Sequence, residues 1–391
     1  MTSQPHRKRV AIIFDTTCKP ANDRLAGALD FIAEKTSWSP ILLQVDLFTP
    51  SQLIKTWKRL KPEAAIIQCS GRVRPFLSDP PIPTVSFESS LSEYNFKADI
   101  RVKVNDKVIA STAADYFLKR GFKSAAYVCS NTRGEAIRSR IRAQAFKSAF
   151  AKHGNTVRIL DIENEHSTFG ERLALFLAGL PKPCAVFAYS DREAHEVVNR
   201  CRALGISVPK QISVLGVDND ERLCDSGNTT LSSILPDFKT SGYVSTEQLA
   251  RLIECGRPEK SVIMTGVKRI VERQSTRNIG AAHRLVEKVR KYIEAHYQEN
   301  FTFAELQTAV NASSVSLRMV EKVFRETMGR SIREELKRHR LNVAASLLGK
   351  SRLGIAEIAR HTGLRTPTNL YKLFVRQFNM SPSAWRKANA E

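Results

Sequence analysis

Short apolar runs alternate with amphipathic stretches through the front two thirds of the chain. Runs at 10–14, 41–45, 64–68, 84–87, 100–104, 125–129, 157–162, 185–188 and 212–217 read as strands. Between them, apolar positions three and four apart predict helices at 24–35, 52–60, 107–120, 137–153, 171–180 and 192–204. Alternating β and α units imply parallel sheets with right-handed crossovers. Nine strands are many for one small sheet, so two lobes are expected. The chain should cross between them near Asn105 and again near 235–240, where a helix around 242–255 returns to the first lobe. After residue 283 the pattern is helical only. The expected architecture is therefore α/β in two lobes with parallel sheets, followed by an all-α domain.

The helical part repeats itself. Val320, Phe324, Gly329 and Ser331 recur as Leu370, Phe374, Asn379 and Ser381, 50 residues later. Each set follows a short helix and a turn: FAELQTAV then NAS, and IAEIARHT then GLR. A helix, a tight turn and a helix with apolar residues four apart is the pattern of a helix-turn-helix. Two in tandem suggest a reader of double-stranded DNA. Thr366 and Ser316 are the N-cap candidates, and Gly363 marks the second turn. From Leu306 to Ser316 is ten residues and from Ile358 to Thr366 eight, so the first unit, whose turn lacks a glycine, reads as having a longer loop.

Charge supports this reading. The chain carries a net +22; residues 283–391 hold 20 Lys and Arg against 10 Asp and Glu. Charge density is about twofold higher there than in the front part, which favours a polyanionic partner. Apolar content of 42% and charged content of 26% are those of a globular protein. No run of 18 apolar residues is present, so no membrane partner is expected. The apolar stretch after the basic start ends at Asp15, too short for a secretory signal, and the cytoplasm is the expected location. Seven scattered cysteines without a C-x-x-C pair read as reduced and mostly buried. No metal site and no cofactor is expected: ligand spacing, G-x-G-x-x-G and the P-loop pattern are all absent.

In open α/β sheets, ligands bind beyond the carboxyl ends of the strands. Those ends carry Asp15, Ser70, Ser190, Asp191, Asp218 and Asn219. Carboxylates and amides converging on a crevice suit a polyhydroxyl ligand, each carboxylate accepting from a pair of hydroxyls. Asp23 and Arg24, at the start of the first helix, are further candidates. Ser190-Asp191 before a helix also reads as an N-cap. No nucleophile–base arrangement is visible, so an enzyme is not expected.

Two family resemblances rest on these residues. IAEIARHTGLRTPTNLYKLFVRQFNMSPSAWR resembles the signature of the AraC family of bacterial transcription regulators, with Ile355, Ile358, Ala359, Gly363, Leu364, Leu370, Phe374, Pro382, Trp385 and Arg386 in register. HRLNVAASLL resembles that family's connecting helix. The resemblance implies that Thr368, Tyr371 and Lys372, and in the first unit Arg318, Glu321 and Lys322, reach base edges. The front part resembles the sugar-binding domain of the LacI and periplasmic-binding-protein superfamily, through ISVPKQISVLGVDNDE, AVFAYSDREA and RAQAF. That implies sugar contacts from Asp218, Asp191 and Arg142. Asn105 stands where that family usually has Asp.

Together these imply a periplasmic-binding-protein-like ligand domain over 1–275, a linker over 276–282 and an AraC-type DNA-binding domain over 283–391. The expected function is that of a sugar-responsive transcription regulator; activator is the first expectation, with repressor left open. The expected partners are a DNA operator, a small sugar (a pentose such as xylose), a second copy in a homodimer, and RNA polymerase. The site expected for the sugar comprises Asp218, Asp191, Arg142, Asn105, Asp15 and Asp23. The alternatives are a regulator sensing another small polar ligand, and a sugar-binding protein without a regulatory role.

Overall fold

The computed structural model describes residues 7–15, 17–68, 82–87, 98–130, 132–161, 168–277, 279–310, 316–351 and 353–389. The front part forms two six-stranded sheets. The first lobe contains β1 (Arg9–Phe14), β2 (Ser39–Gln44), β3 (Ala64–Gln68), β4 (Thr84–Phe87) and β5 (Ile100–Val104), with α1 (Lys19–Lys35) and α2 (Pro50–Leu60). The second contains β6 (Ser124–Val128), β7 (Thr156–Leu160), β8 (Cys184–Ala188), β9 (Ile212–Val217) and β10 (Ser232–Pro236). Its helices are α3 (Asp106–Lys119), α4 (Ala136–Ala151), α5 (Phe169–Ala178), α6 (Asp191–Ala203) and the short α7 (Glu221–Cys224). The chain then returns to the first lobe through α8 (Phe238–Cys255) and β11 (Val262–Thr265), and comes back through β12 (Val267–Val271).

All nine expected strands are present, with ends shifted by one or two residues. Three more were not expected, and with them comes a third crossover, at Gly266. The strand orders are β11-β5-β4-β3-β1-β2 and β12-β10-β9-β8-β6-β7. The first sheet is wholly parallel. The second has one antiparallel pair, β10 with β12. The hinge dictates this: β10 runs towards the hinge to leave its lobe, and β12 enters from the hinge and runs away from it. Two backbone bonds lock the crossovers together, Asn105 N–H to Thr265 O at 3.1 Å and Asp237 N–H to Gly266 O at 2.9 Å. Helix α8 packs against α1 at Gly27 and Gly242, where a Cβ on either would collide with the other helix's backbone.

Residues 274–276 form a 3-10 turn, and α9 (Ile279–His296) begins three residues later. The linker expected over 276–282 is thus largely structured. Thr276 is fully buried, its hydroxyl bonded to Tyr116 Oη at 2.7 Å and Ser232 Oγ at 2.6 Å. A small-residue stretch without apolar periodicity hid both a buried polar anchor and the first turn of a helix.

The tail is all helical: α9, then α10 (Phe303–Ala309), α11 (Leu317–Met328), α12 (Ile332–Lys350), α13 (Ile355–His361), α14 (Pro367–Phe378) and α15 (Pro382–Asn389). Val320 and Phe324 are buried in one small core, Leu370 and Phe374 in another, with α12 between them.

Candidate functional site

The carboxyl ends of β1, β3, β5, β6, β8 and β9 face a crevice between the lobes. At its centre lies a network of guanidinium and carboxylate groups. Arg142, on the buried face of α4, is 3% exposed. It donates through Nε and Nη2 to Asp106 Oδ1 at 3.0 and 2.5 Å, and through Nη1 to the carbonyl of Tyr189, whose ring lies 4.5 Å from the guanidinium carbon. Arg138, one turn earlier, also reaches Asp106, at 3.0 Å, and Glu135 at 3.4 Å. Tyr189 donates its hydroxyl to Glu135. Burial works against ionised Asp106, but Arg142 and Arg138 outweigh it and hold the carboxyl below its usual range. Burial likewise disfavours the Arg142 cation, and Asp106 more than compensates, leaving its pKa raised.

Asp218 is the carboxylate this network leaves available. It is partly exposed at the end of β9, and burial pushes its pKa up to about 6 against the opposing pull of Arg142 and Arg138. It adopts φ +101° and Asn219 φ +52°. Two successive non-glycine residues in the left-handed region cost on the order of 1–3 kcal/mol each and persist only where the surroundings impose them. Here the surroundings are explicit. Asp218 N–H donates to Ile234 O at 2.9 Å, Asn219 N–H to Ser233 Oγ at 3.0 Å, and Arg273 Nη1 to Asn219 Oδ1 at 2.8 Å.

Asp191, expected at the sugar, is 1% exposed. Its two oxygens accept from Ser233 Oγ at 2.6 Å and from Asp220 N–H at 2.7 Å. Through these bonds it braces the loop that presents Asp218, while Ser190 caps α6. Burial, then the charge of Asp218, raises its pKa well above the usual carboxylate range. Asn105 caps α3, its Oδ1 accepting from Val108 N–H at 3.1 Å. Asp106, the next residue, carries the carboxylate that Arg142 and Arg138 hold. Asp23 pairs with Lys19 at 3.1 Å. Asp15 accepts from Thr17 N–H at 3.0 Å. Ser70 lies outside the described residues.

The first lobe contributes Arg24. It is 5% exposed, its guanidinium carbon lies 5.1 Å from the Phe87 ring centre and 4.7 Å from that of Phe238, and its Nε has no partner among the described residues. Burial, then the nearby cation of Arg138, lowers its pKa to about 10, so groups from both lobes share one field. Gln68 Oε1, Thr265 Oγ1 and Asp237 Oδ1 are also buried without partners among the described residues. They lie at the ends of β3 and β11 and on a crossover. Buried polar atoms are normally paired; Arg172 Nε, Arg200 Nε, Glu321 Oε2 and Thr327 Oγ1 are likewise unpaired away from the crevice, so Gln68, Thr265 and Asp237 stand out by their place at strand ends and hinge. The crevice lips are bridged by Lys19–Glu221 at 3.4 Å and by Arg222 Nη2 donating to Thr17 O at 3.3 Å.

Sequence reasoning missed Asp106, Arg138 and Glu135. Arg138 and Arg142 are four apart and share a helix face, which was a usable signal; their acidic partner is 32 and 36 residues away in sequence and gave none.

In the tail, Ser316 caps α11 and Thr366 caps α14 through their side chains. Arg318, Lys322, Thr368, Tyr371 and Lys372 are exposed on the faces away from the cores. Glu321 is only partly exposed and lies 3.5 Å from Arg325, so its carboxylate has an internal partner. Gly363 has φ +69°, and a Cβ there would stand 2.7 Å from Tyr297 O. The turn of the second unit therefore closes onto the end of α9, where Arg340 of α12 also donates to Tyr297 O at 2.6 Å. The longer turn expected in the first unit, 311–315, lies outside the described residues.

Residues 114–276 match the periplasmic binding protein-like domain and residues 310–388 a helix-turn-helix domain. The chain joins these two domains in that order. It is 29% identical over 220 residues to the xylose operon regulatory protein of Escherichia coli strain K12, covering 56% of this chain and 55% of that protein. The chain thus matches about half the length of that relative. The xylose operon regulatory protein of Haemophilus influenzae is 21% identical over 310 residues, 78% of this chain and 79% of its own length. The solved structure of a xylose-binding transcription activator superposes with a TM-score of 0.61 at 22% identity, covering 99% of this chain and 100% of the other. A periplasmic binding protein/LacI transcriptional regulator from Alkaliphilus metalliredigens, complexed with D-xylulofuranose, gives 0.53 at 15% identity, covering 69% and 99%. The fold of both parts thus agrees with one solved structure over 99% of the chain. Among the described residues no helix is long and apolar enough to cross a membrane.

Proposed function

We propose that the chain is a cytoplasmic, sugar-responsive transcription regulator that binds a pentose in its crevice and an operator through its tail. The observation that carries this is the placement of Asp218. A strained, partly exposed carboxylate stands beside the Arg142–Asp106–Arg138 network of one lobe and the under-bonded Arg24 of the other. A small polyol can accept from Arg24 and donate to Asp218 at once, and so favours the closed lobes. D-xylose is the first choice because two relatives are xylose operon regulators. Asp191 and Asn105 serve by holding the loop and the hinge, and Asp15 and Asp23 flank the crevice. A homodimer on two half-sites and a contact with RNA polymerase complete the reading. In a mobility-shift assay against a duplex selected from random sequence, D-xylose should change the affinity and L-glucose should not; no change with any pentose or hexose would end the proposal.

Arg318, Lys322, Thr368, Tyr371 and Lys372 read the operator, with Glu321 assisting from its pair with Arg325. Lys372→Ala should weaken binding to the selected duplex by about 1–3 kcal/mol while leaving sugar affinity unchanged. Equal loss on random duplex would assign Lys372 to phosphate contacts only.

The route between the sites runs through the second lobe. Its strands begin, opposite the crevice, at residues that hold the first helix-turn-helix unit. Lys210 pairs with Glu326 of α11 at 2.6 Å, and Lys123 pairs with Glu287 of α9. Val323 and Thr327 of α11 line this seam. At about 100° per residue they fall roughly opposite Glu321 and Arg318, so docking leaves the base-reading face open. The first unit therefore turns with the second lobe when the lobes close. Lys210→Glu should reduce the sugar-induced change in DNA affinity about twofold or more, the scale of one exposed ion pair turned repulsive. The exchanged pair, Lys210→Glu with Glu326→Lys, should restore it. A double variant no better than the single would show that this contact does not transmit.

A further inference from the structure

Between the second lobe and the tail lies a cavity of about 550 Å³, separate from the crevice. The lobe supplies its wall from the turn before β6 and the turn before β8; α9, the end of α11 and α12 supply the other wall. Five cations line it, with two carboxylates. Those carboxylates are already engaged. Glu287 pairs with Lys123. Glu335 takes both Arg330, in contact, and Arg290, at 3.7 Å. Lys182 from the lobe and Arg338 from α12 remain in excess. His339 also lines the wall, and burial keeps its pKa below the usual range, so it adds little charge at neutral pH.

The two domains therefore approach each other with like charge. Burial lowers the pKa of Lys182, and the cation of Arg330 across the seam adds a smaller push in the same direction. Among the described residues its ammonium bonds only the carbonyls of Ala178 and Leu180, each at 3.4 Å. Like charges facing across a partly enclosed space destabilise the docked arrangement unless an anion lies between them. The volume is in the range of small-molecule sites and far exceeds one phosphate-sized ion.

We propose that this seam is a binding site for a small phosphorylated metabolite, whose dianion bridges Lys182 of the lobe and Arg338 of α12. The site would give the chain a second input, since an anion there favours the docked first unit whatever occupies the crevice. It depends on the docking and not on the identity of the sugar.

The test uses the full chain without DNA, by calorimetric titration at ionic strength fixed with sodium chloride. The probes are glucose 6-phosphate, inorganic phosphate and glucose. Glucose 6-phosphate should bind at one site per chain and raise the melting temperature. Lys182→Gln with Arg338→Gln should weaken that binding at least about tenfold, the scale of two lost charge-assisted bonds. Asp218→Ala, which disables the crevice, should leave it intact, so failure of the sugar reading and failure of this site are separable. Inorganic phosphate binding as tightly as the ester would overturn the assignment to phosphorylated metabolites in favour of the bare ion. Unchanged glucose 6-phosphate binding in the double variant, or an equal melting shift from added chloride, would remove the site altogether.

Discussion

Asp218→Ala should lower sugar affinity at least about 100-fold, because a carboxylate accepting from two hydroxyls contributes roughly 1.5–3 kcal/mol per bond. The sugar's effect on DNA binding should vanish with it, and affinity for DNA without sugar should stay within about twofold. Titration calorimetry with D-xylose and a mobility shift on the same preparation read both. Retained sugar binding would show that the crevice is misassigned. A pH dependence follows from the same group. Its pKa in the folded chain is about 6, raised by burial, and the ionised form is the one that accepts two hydroxyl bonds. Sugar affinity should therefore fall as pH drops through about 6. For stability the sign is opposite. A carboxyl whose folded pKa is raised contributes stability at acid pH that is lost as pH rises through the folded value. Asp218→Asn, which keeps the shape and removes the charge, should thus stabilise the sugar-free chain at pH 7.5 by up to about 3 kcal/mol and have little effect near pH 4. Binding competence at this residue is held at the expense of stability.

The largest loss of stability should come from Arg142→Leu, about 3 kcal/mol by urea unfolding. The cause is less the lost bond than the buried Asp106 carboxylate left short of a partner; Arg138, still paired with it, keeps the loss at the lower end. Lys147→Leu, on the exposed side of α4, should change stability by less than about 0.5 kcal/mol. Adding Asp106→Asn to Arg142→Leu should recover part of the loss, since the stranded charge is then gone. A double variant less stable than the single would place the energy in packing instead of charge.

These two residues also show what the sequence could reveal. Asp218 can be named from a local pattern, the end of a strand, whereas Arg142 is named only through the resemblance of RAQAF to a family element. Asp106, Arg138 and Glu135 were not legible, because their meaning lies in a pairing between α3 and α4 that no periodicity records. Asp191 looked like a ligand contact from its place beyond β8; only the structure shows its oxygens turned to Ser233 and Asp220. In the fold, long apolar runs gave the nine strands of the βα pattern. The missing three are SSILP, which is buried inside its sheet but opens on two serines, and the half-exposed VIMT and VKRIV, whose strand character comes from the sheet edges they form. The tail was the most legible part. Spacings of four between Val320 and Phe324 and between Leu370 and Phe374 fix which faces are buried, and hence which residues face outward.

The direct test of the account is the affinity for D-xylose measured twice, with the full chain free and with it saturated by a selected operator duplex. Linkage requires that any effect of sugar on DNA binding appear as an equal effect of DNA on sugar binding, typically about 5- to 150-fold. The account predicts two dissociation constants differing by at least about fivefold. Equal constants would contradict it, because crevice and tail would then be two activities on one chain with nothing passing between them.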